Sequence, residues 1–184
     1  MIKNNLDISG AFAFSVEKNA DERGSLVRIF DSVELFPEFN VVQASYVENP
    51  IEGTLRGLHF QLGKFAESKI IHCVKGKIFD VLLDLREESP THGDYISLTL
   101  GSEEEFQGIY VPKNFAHGYL TLSEDVKLIY LMDTEYSEAN SSGIVWNDKS
   151  LNISWPSNPV IISGRDAKLA NYENLYLNKQ IREN

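Results

Sequence analysis

KIFDVLLDL, residues Lys77 to Leu85, sorts its side chains into two alternating sets. Phe79, Val81, Leu83 and Leu85 form one; Ile78, Asp80, Leu82 and Asp84 form the other. A period of two belongs to a β-strand, whose successive side chains point to opposite faces. The run lies between the turn signals VKGK and ESPTHGD. Working outward, YISLTLG (Tyr95–Gly101), FQGIYVP (Phe106–Pro112) and VKLIYLMD (Val126–Asp133) read as further strands, and SLVRIF (Ser25–Phe30) and NVVQASYVEN (Asn40–Asn49) also read as extended. NADERG, NPIEG, PKN and LSED mark turns between them. Short strands with frequent turns predict an all-β, antiparallel sandwich or barrel. The helical candidates are DSVELF (Asp31–Phe36) and the polar tail AKLANYENLYLNKQIREN (Ala167–Asn184).

The chain has 184 residues, enough for one domain with a substantial core, and no repeat or linker divides it. Hydrophobic residues make up 42% and aromatics 11%, a globular composition. A formal net charge of -10 argues against nucleic acid or an anionic membrane surface as a partner. It leaves room for a small anionic ligand, because a few arginines in a pocket override the global sign. No apolar run suits a signal peptide or a membrane span. The lone cysteine, Cys73 in IIHCV, has no partner for an intramolecular disulfide and reads as a core residue. A cytoplasmic setting is expected.

A small barrel holds side chains or one small ligand, and polar residues facing inward are costly without partners. That singles out His59, Lys69, His72, His117 and Tyr130. None of the four histidines is spaced from another as HxH or HxxxH, so no metal is expected. His59, in RGLHFQ (Arg56–Gln61), is a natural base because its ordinary pKa lies near neutrality; taken alone it also reads as a structural histidine. Arg56 and Lys69 add cations beside it, which suits a site where negative charge develops or phosphate binds. Arg56 and His59 are three residues apart, so a regular strand points them to opposite faces. Both reach one pocket only if the backbone is irregular, and Gly57 is where a bulge is expected.

These residues resemble the dTDP-4-dehydrorhamnose 3,5-epimerases and related nucleotide-sugar epimerases. The resemblance runs through DERGSL, GTLRGLHFQ, SKIIHCVKGKIFDVLLDLR, SPTHGDY, VPKNFAHGYLTLSED, IYLMDTEYS and GIVWNDKSLNISWP to ISGRDAKL, about residues 12–170. It treats FAHG as a turn. It implies a cupin-like double-stranded β-helix, a jelly-roll barrel with short peripheral helices. It also implies abstraction of a proton next to a C4 ketone and reprotonation on the opposite face, with no metal or redox cofactor. By resemblance His59 is the base, Asp166 its carboxylate partner, Tyr130 the acid and Lys69 the cation near the C4 oxygen. Arg56 lies near the sugar or phosphate, Gln43 and His117 line the substrate side, and Tyr136 stacks on the nucleotide base. Arg23 is a phosphate contact carried by an N-terminal segment, about residues 1–50, that reaches a partner subunit. A homodimer is therefore expected, with residues 167–184 as a C-terminal tail.

The chain departs from the common family pattern at Arg28, at Leu131 and at Glu135-Tyr136, and QASYVENPIEG is one residue longer. These differences are expected at the nucleotide or the sugar rim. They suggest a nucleotide-linked 4-keto sugar other than the usual dTDP-4-keto-6-deoxyglucose, such as a GDP-linked 6-deoxy sugar or heptose. The expected reaction is epimerisation at C3 and C5, or at C3 or C5 alone; the alternatives are a 3,4-ketoisomerase on the same scaffold, or a non-catalytic sugar-nucleotide-binding protein.

Overall fold

The structure is a computed structural model that describes residues 1–177. In chain order the strands are β1 (Ile2–Asn5), β2 (Phe12–Ser15), β3 (Lys18–Asp21), β4 (Gly24–Val27), β5 (Gln43–Asn49), β6 (Thr54–Gln61), β7 (Lys69–Lys75), β8 (Lys77–Asp84), β9 (Tyr95–Gly101), β10 (Gly108–Val111), β11 (Phe115–Thr121), β12 (Val126–Met132), β13 (Ser141–Gly143) and β14 (Ile161–Ile162). One six-stranded sheet runs β1-β2-β10-β7-β12-β5. The facing sheet runs β13-β6-β11-β8-β9, with β14 parallel to β6 at its side. A separate hairpin joins β3 to β4. From β5 to β8, and again from β9 to β13, successive strands alternate between the two sheets, which is the jelly-roll pattern.

The opening stretch becomes β8, between β11 and β9 in the second sheet, and both of its faces are covered. Ile78 and Leu82 face inward with Ile71, Leu100, Ile109 and Leu128. Val81 and Leu83 face outward against Leu58, Ile144 and Leu151. The first sheet is likewise covered, by an N-terminal aromatic cluster in which Phe36 stacks on Phe12 and Phe30 at ring separations of 5.7 and 5.6 Å. Leu131 and Ile70 point into that cluster, whereas Ile71 and Tyr130 turn toward the interior.

Several expectations change. DSVELF is a turn and not a helix: Asp31 Oδ1 accepts the backbone N–H groups of Val33 and Glu34 at 2.9 and 3.1 Å, and the chain leaves the turn at Phe36, which enters the aromatic cluster. FAHG is no turn; it opens β11, which is buried along its whole length. The turn lies just before it, at Asn114, whose φ is 61°. Of the predicted tail helix, a 3₁₀ turn (Asp166–Lys168) and a short α1 (Tyr172–Leu177) form, and residues 178–184 lie outside the described part.

The irregularity expected in β6 is present. His59 pairs with His117 and Arg56 with Tyr119, so three steps along β6 match two along β11. Gly57 adopts φ 103°, and a Cβ there would meet the His117 carbonyl oxygen at 2.5 Å. The Gly57→Ala variant is expected to lose roughly 2–4 kcal/mol of stability in urea denaturation.

His72 is a core residue. It is 4% exposed, Phe14 lies 6.0 Å from it ring to ring, and its Nδ1 has no partner. Burial lowers its pKa to about 4. A histidine with a depressed folded pKa costs nothing above its unfolded value, ~6.5, and destabilises increasingly as pH falls from there toward the folded value. His72→Leu should therefore remove roughly 3 kcal/mol of the stability lost between about pH 6.5 and 4, read from urea midpoints across that range.

Candidate active site

Between the sheets, at the end where β6 finishes and β7 begins, lies a cavity of about 600 Å³. The β6 bulge resolves the parity problem. Arg56 and His59 both line the cavity, while Leu58 between them turns outward into the apolar layer with Val81 and Ala116.

His59 Nε2 lies 2.8 Å from Asp166 Oδ1, and Asp166 Oδ2 accepts the N–H of Gly57 at 3.1 Å. The Asp166 side chain is 6% exposed, that of His59 36%. Burial opposes the charge on Asp166, but its bonds to His59, Gly57 and Ser163 outweigh burial and hold the carboxyl below its ordinary range. An ionised carboxylate only accepts, so the proton sits on Nε2 and the lone pair on Nδ1.

The opposite wall belongs to the first sheet. Lys69 is the first residue of β7, Tyr130 lies on β12 and Gln43 begins β5; all three line the cavity. Loss of solvent, then Tyr119 and Asp80 nearby, push the Tyr130 phenol well above its usual pKa against the pull of Arg56. It is therefore protonated at neutral pH. Its ring meets that of His117 edge-on at 6.1 Å. His117 Nε2 is 2.7 Å from Asp80 Oδ1 in a fully buried pair, and burial raises the Asp80 carboxyl despite that contact. Tyr119, raised to about 12 chiefly by burial, donates to Asn49 Oδ1 at 3.3 Å. Arg56 Nε donates to the same oxygen at 2.8 Å.

Of the residues singled out from sequence, His59, Asp166, Tyr130, Lys69, Arg56, Gln43, His117 and Tyr136 all border this one cavity. Tyr136 is exposed at its rim, where its N–H meets Gln43 Oε1 at 3.2 Å. Arg23 does not line it; it sits on the exposed β3–β4 hairpin and pairs with Asp21 at 2.5 Å. Glu67, Tyr119 and Arg165 also line it and were not singled out. Glu67 carried a usable signal: it is two residues from Lys69, the spacing that puts both on one face of an extended segment. Among the described residues, no three His, Cys, Asp or Glu side chains are grouped to hold a metal ion.

The departures from the family pattern divide: Tyr136 and Gln43, the first residue of the lengthened stretch, border the cavity as expected, and three others do not. Leu131 is buried with Phe12 and Phe36 on the outer side of its sheet, and Arg28 pairs with Asp31 at 2.9 Å. The exposed Glu135 enters the site only through its backbone carbonyl, which accepts from Gln61 at 3.1 Å. None of the three lines the cavity.

A family model described as dTDP-4-dehydrorhamnose 3,5-epimerase matches residues 5–174. The chain belongs to this family. It is an epimerase, in the isomerase class, on a cupin-like jelly roll. The Shigella flexneri dTDP-4-dehydrorhamnose 3,5-epimerase is 35% identical over 164 residues, 87% of this chain and 90% of that protein. The enzyme of the same name from Methanothermobacter thermautotrophicus is 37% identical over 172 residues, 90% of each. Among solved structures, the Mycobacterium tuberculosis epimerase superposes with a TM-score of 0.91 at 30% identity, covering 98% of this chain and 93% of that one. The Legionella pneumophila dTDP-6-deoxy-D-glucose-3,5-epimerase, in complex with dTDP-4-keto-L-rhamnose, gives 0.89 at 28% identity over 100% and 98%.

An epimerase with this dyad should depend on both oxygens of Asp166. The Asp166→Asn variant offers one acceptor to two donors, the His59 Nε2–H and the Gly57 N–H. Its kcat should fall by roughly 100-fold or more, with the protein still folded by circular dichroism.

Proposed function

We propose that the protein inverts carbons 3 and 5 of dTDP-4-keto-6-deoxyglucose, with His59 as base and Tyr130 as acid. The observation that carries this reading is their placement. The two side chains come from opposite sheets into one cavity, with Lys69 beside them. His59 Nδ1 takes the proton from the carbon next to the C4 ketone, and the ionised Asp166 stabilises the imidazolium that forms. The electron pair moves into the ketone, whose oxygen becomes an enolate facing the Lys69 ammonium. One such preorganised donor contributes about 3–4 kcal/mol to the barrier, and a positioned base about 10²–10⁴ in rate. Tyr130 then gives its phenolic proton to the same carbon from the other side. Solvent afterwards takes the proton from His59 and restores that of Tyr130, so the sugar leaves inverted and unoxidised.

The nucleotide follows from the cavity's charge and from the relatives. Arg56 and Arg165 on the cavity wall, with Arg23 from a partner's hairpin, suit a diphosphate, and Tyr136 at the rim suits stacking on the base. The Bacillus anthracis relative was solved with TDP and pyrophosphate bound. Of the residues that argued for another nucleotide, Arg28, Leu131 and Glu135 do not line the cavity and supply no reason to leave dTDP, while Tyr136 does line it, at a rim position that suits stacking on thymine as on any other base. A homodimer that lends Arg23 across its interface, acting in the cytoplasm, completes the proposal. Among the described residues no helix is long and apolar enough to cross a membrane. A 3,4-ketoisomerase would shuttle a proton between neighbouring carbons on one face, which leaves the phenol of the opposite sheet without a task.

Proton NMR in D₂O with dTDP-4-keto-6-deoxyglucose tests this. Deuterium should enter at C3 and C5 while C4 stays a ketone. His59→Asn should abolish both exchange and inversion by roughly 10³-fold, and Tyr130→Phe should depress inversion more than exchange. Turnover of a GDP-linked 4-keto sugar in preference to the dTDP one would overturn the nucleotide assignment.

A further inference from the structure

Lys69 is held in an unusual way for so flexible a side chain. It is 8% exposed, and its Nζ lies 2.8 Å from Glu67 Oε1 and 3.4 Å from the backbone carbonyl of His59. An ammonium has three N–H donors. Two are thereby engaged within the protein and the third is left for the cavity that Lys69 lines.

Glu67 is itself fixed. Its second oxygen, Oε2, accepts from Gln61 Nε2 at 2.6 Å. Gln61 cannot turn its amide around. Its Oε1 accepts the Ser137 N–H at 2.6 Å, and the two N–H groups of its Nε2 are shared among Glu67 Oε2 and the carbonyls of Phe65 and Glu135, each 3.1 Å away. A rigid chain of contacts thus runs from the 135–137 segment through Gln61 and Glu67 to the Lys69 ammonium, and closes on the backbone of His59. Glu67 is 9% exposed. A buried carboxylate is costly unless paired, and this one is paired on both oxygens.

We infer that Glu67 is a positioning residue for the reaction: it aims the Lys69 ammonium at the developing enolate oxygen. This rests on the proposed role of Lys69. A lysine with four rotatable bonds loses much of its value as an enolate donor if it wanders, since an ångström of misplacement costs roughly 100-fold in rate. The carboxylate is the group this place requires. Two donors, Lys69 Nζ and Gln61 Nε2, converge on it, and an amide has only one acceptor oxygen for them. The ion pair also leaves little net charge, so the enolate meets a directed N–H rather than a loose cation. In the ground state the ketone oxygen carries little charge, so the benefit falls on kcat rather than on KM.

The test is a double-mutant cycle read by solvent-deuterium exchange and kcat on dTDP-4-keto-6-deoxyglucose. Glu67→Gln and Glu67→Ala should each lower kcat and the exchange rate by roughly 10- to 100-fold, with KM changed less than threefold and dTDP binding retained. Lys69→Met should lower both rates at least as far. In the Lys69→Met background Glu67→Gln should cost nothing more, because it acts only through the lysine. Retained dTDP binding shows that each variant is folded. Full-rate exchange in Glu67→Gln while Lys69→Met is slow would overturn the inference and leave the role of Lys69 standing, as would equal losses from Glu67→Gln in both backgrounds. Full-rate exchange in Lys69→Met would overturn both.

Discussion

The site depends on one surplus residue in β6. Across from Gly118 the strand carries one residue more than its partner, and that single insertion turns Arg56 and His59 to the same side. The same irregular backbone frees the Gly57 N–H from the ladder, and Asp166 takes it. One carboxylate therefore both stabilises the bulge and orients the imidazole that the bulge presents. Folding and chemistry share this contact: a change that relaxed β6 into a regular strand would turn one of the two side chains out of the cavity and leave Asp166 with half its partners.

Electrostatics explains how so acidic a chain tolerates the arrangement. Its net charge is -10, yet the cavity gathers Arg56, Lys69 and Arg165 against the carboxylates Glu67 and Asp166. Each carboxylate here is tied to a named donor, so its charge is local and directed rather than a general repulsion of an anionic ligand. His117 and Asp80 add a second imidazole–carboxylate pair deeper in the barrel, at 2.7 Å and fully buried. Desolvation raises the carboxyl there, whereas the more accessible Asp166 is lowered. The two dyads share their residue types and differ in what surrounds them, as expected when burial and hydrogen bonding compete for the same charge.

Much of the fold was legible because alternation survives in the strands that have one wet face. In β5, Ala44, Tyr46 and Glu48 are exposed while Gln43, Ser45 and Val47 turn inward. The same logic fails for β11. FAHGYLT is buried on both faces, so it shows no alternation, and its Gly reads as a turn. Gly118 is small for a packing reason: a Cβ there would meet the Arg56 carbonyl oxygen at 2.8 Å. The bulge was legible from parity alone, as three residues separate two side chains that both suit one pocket. Leu131 was misplaced because its position in the pattern was known and its facing was not. Tyr130 is its neighbour in a strand, so the two must point to opposite sides. The spacing of Glu67 from Lys69 was legible, but its ties to Gln61 and through it to segment 135–137 were not, since only the folded chain makes them.

The jelly roll also settles why inversion suits this scaffold. Two sheets that face one another offer a bound ring two walls, each with its own side chains directed at the space between them. With His59 on β6 and Tyr130 on β12, the base and acid of the proposed mechanism would act from opposite faces. A single flexible group that served both steps would return the proton to the side it left, and the substrate would exchange with solvent without changing configuration. The rigidity of the two walls, more than the identity of either residue, is what converts proton abstraction into a change of stereochemistry. On this view the strands that line little of the cavity still matter: β8 and β10 pack Ile78, Leu82 and Ile109 into the barrel core, and β8 holds Asp80 against the His117 that lines the cavity.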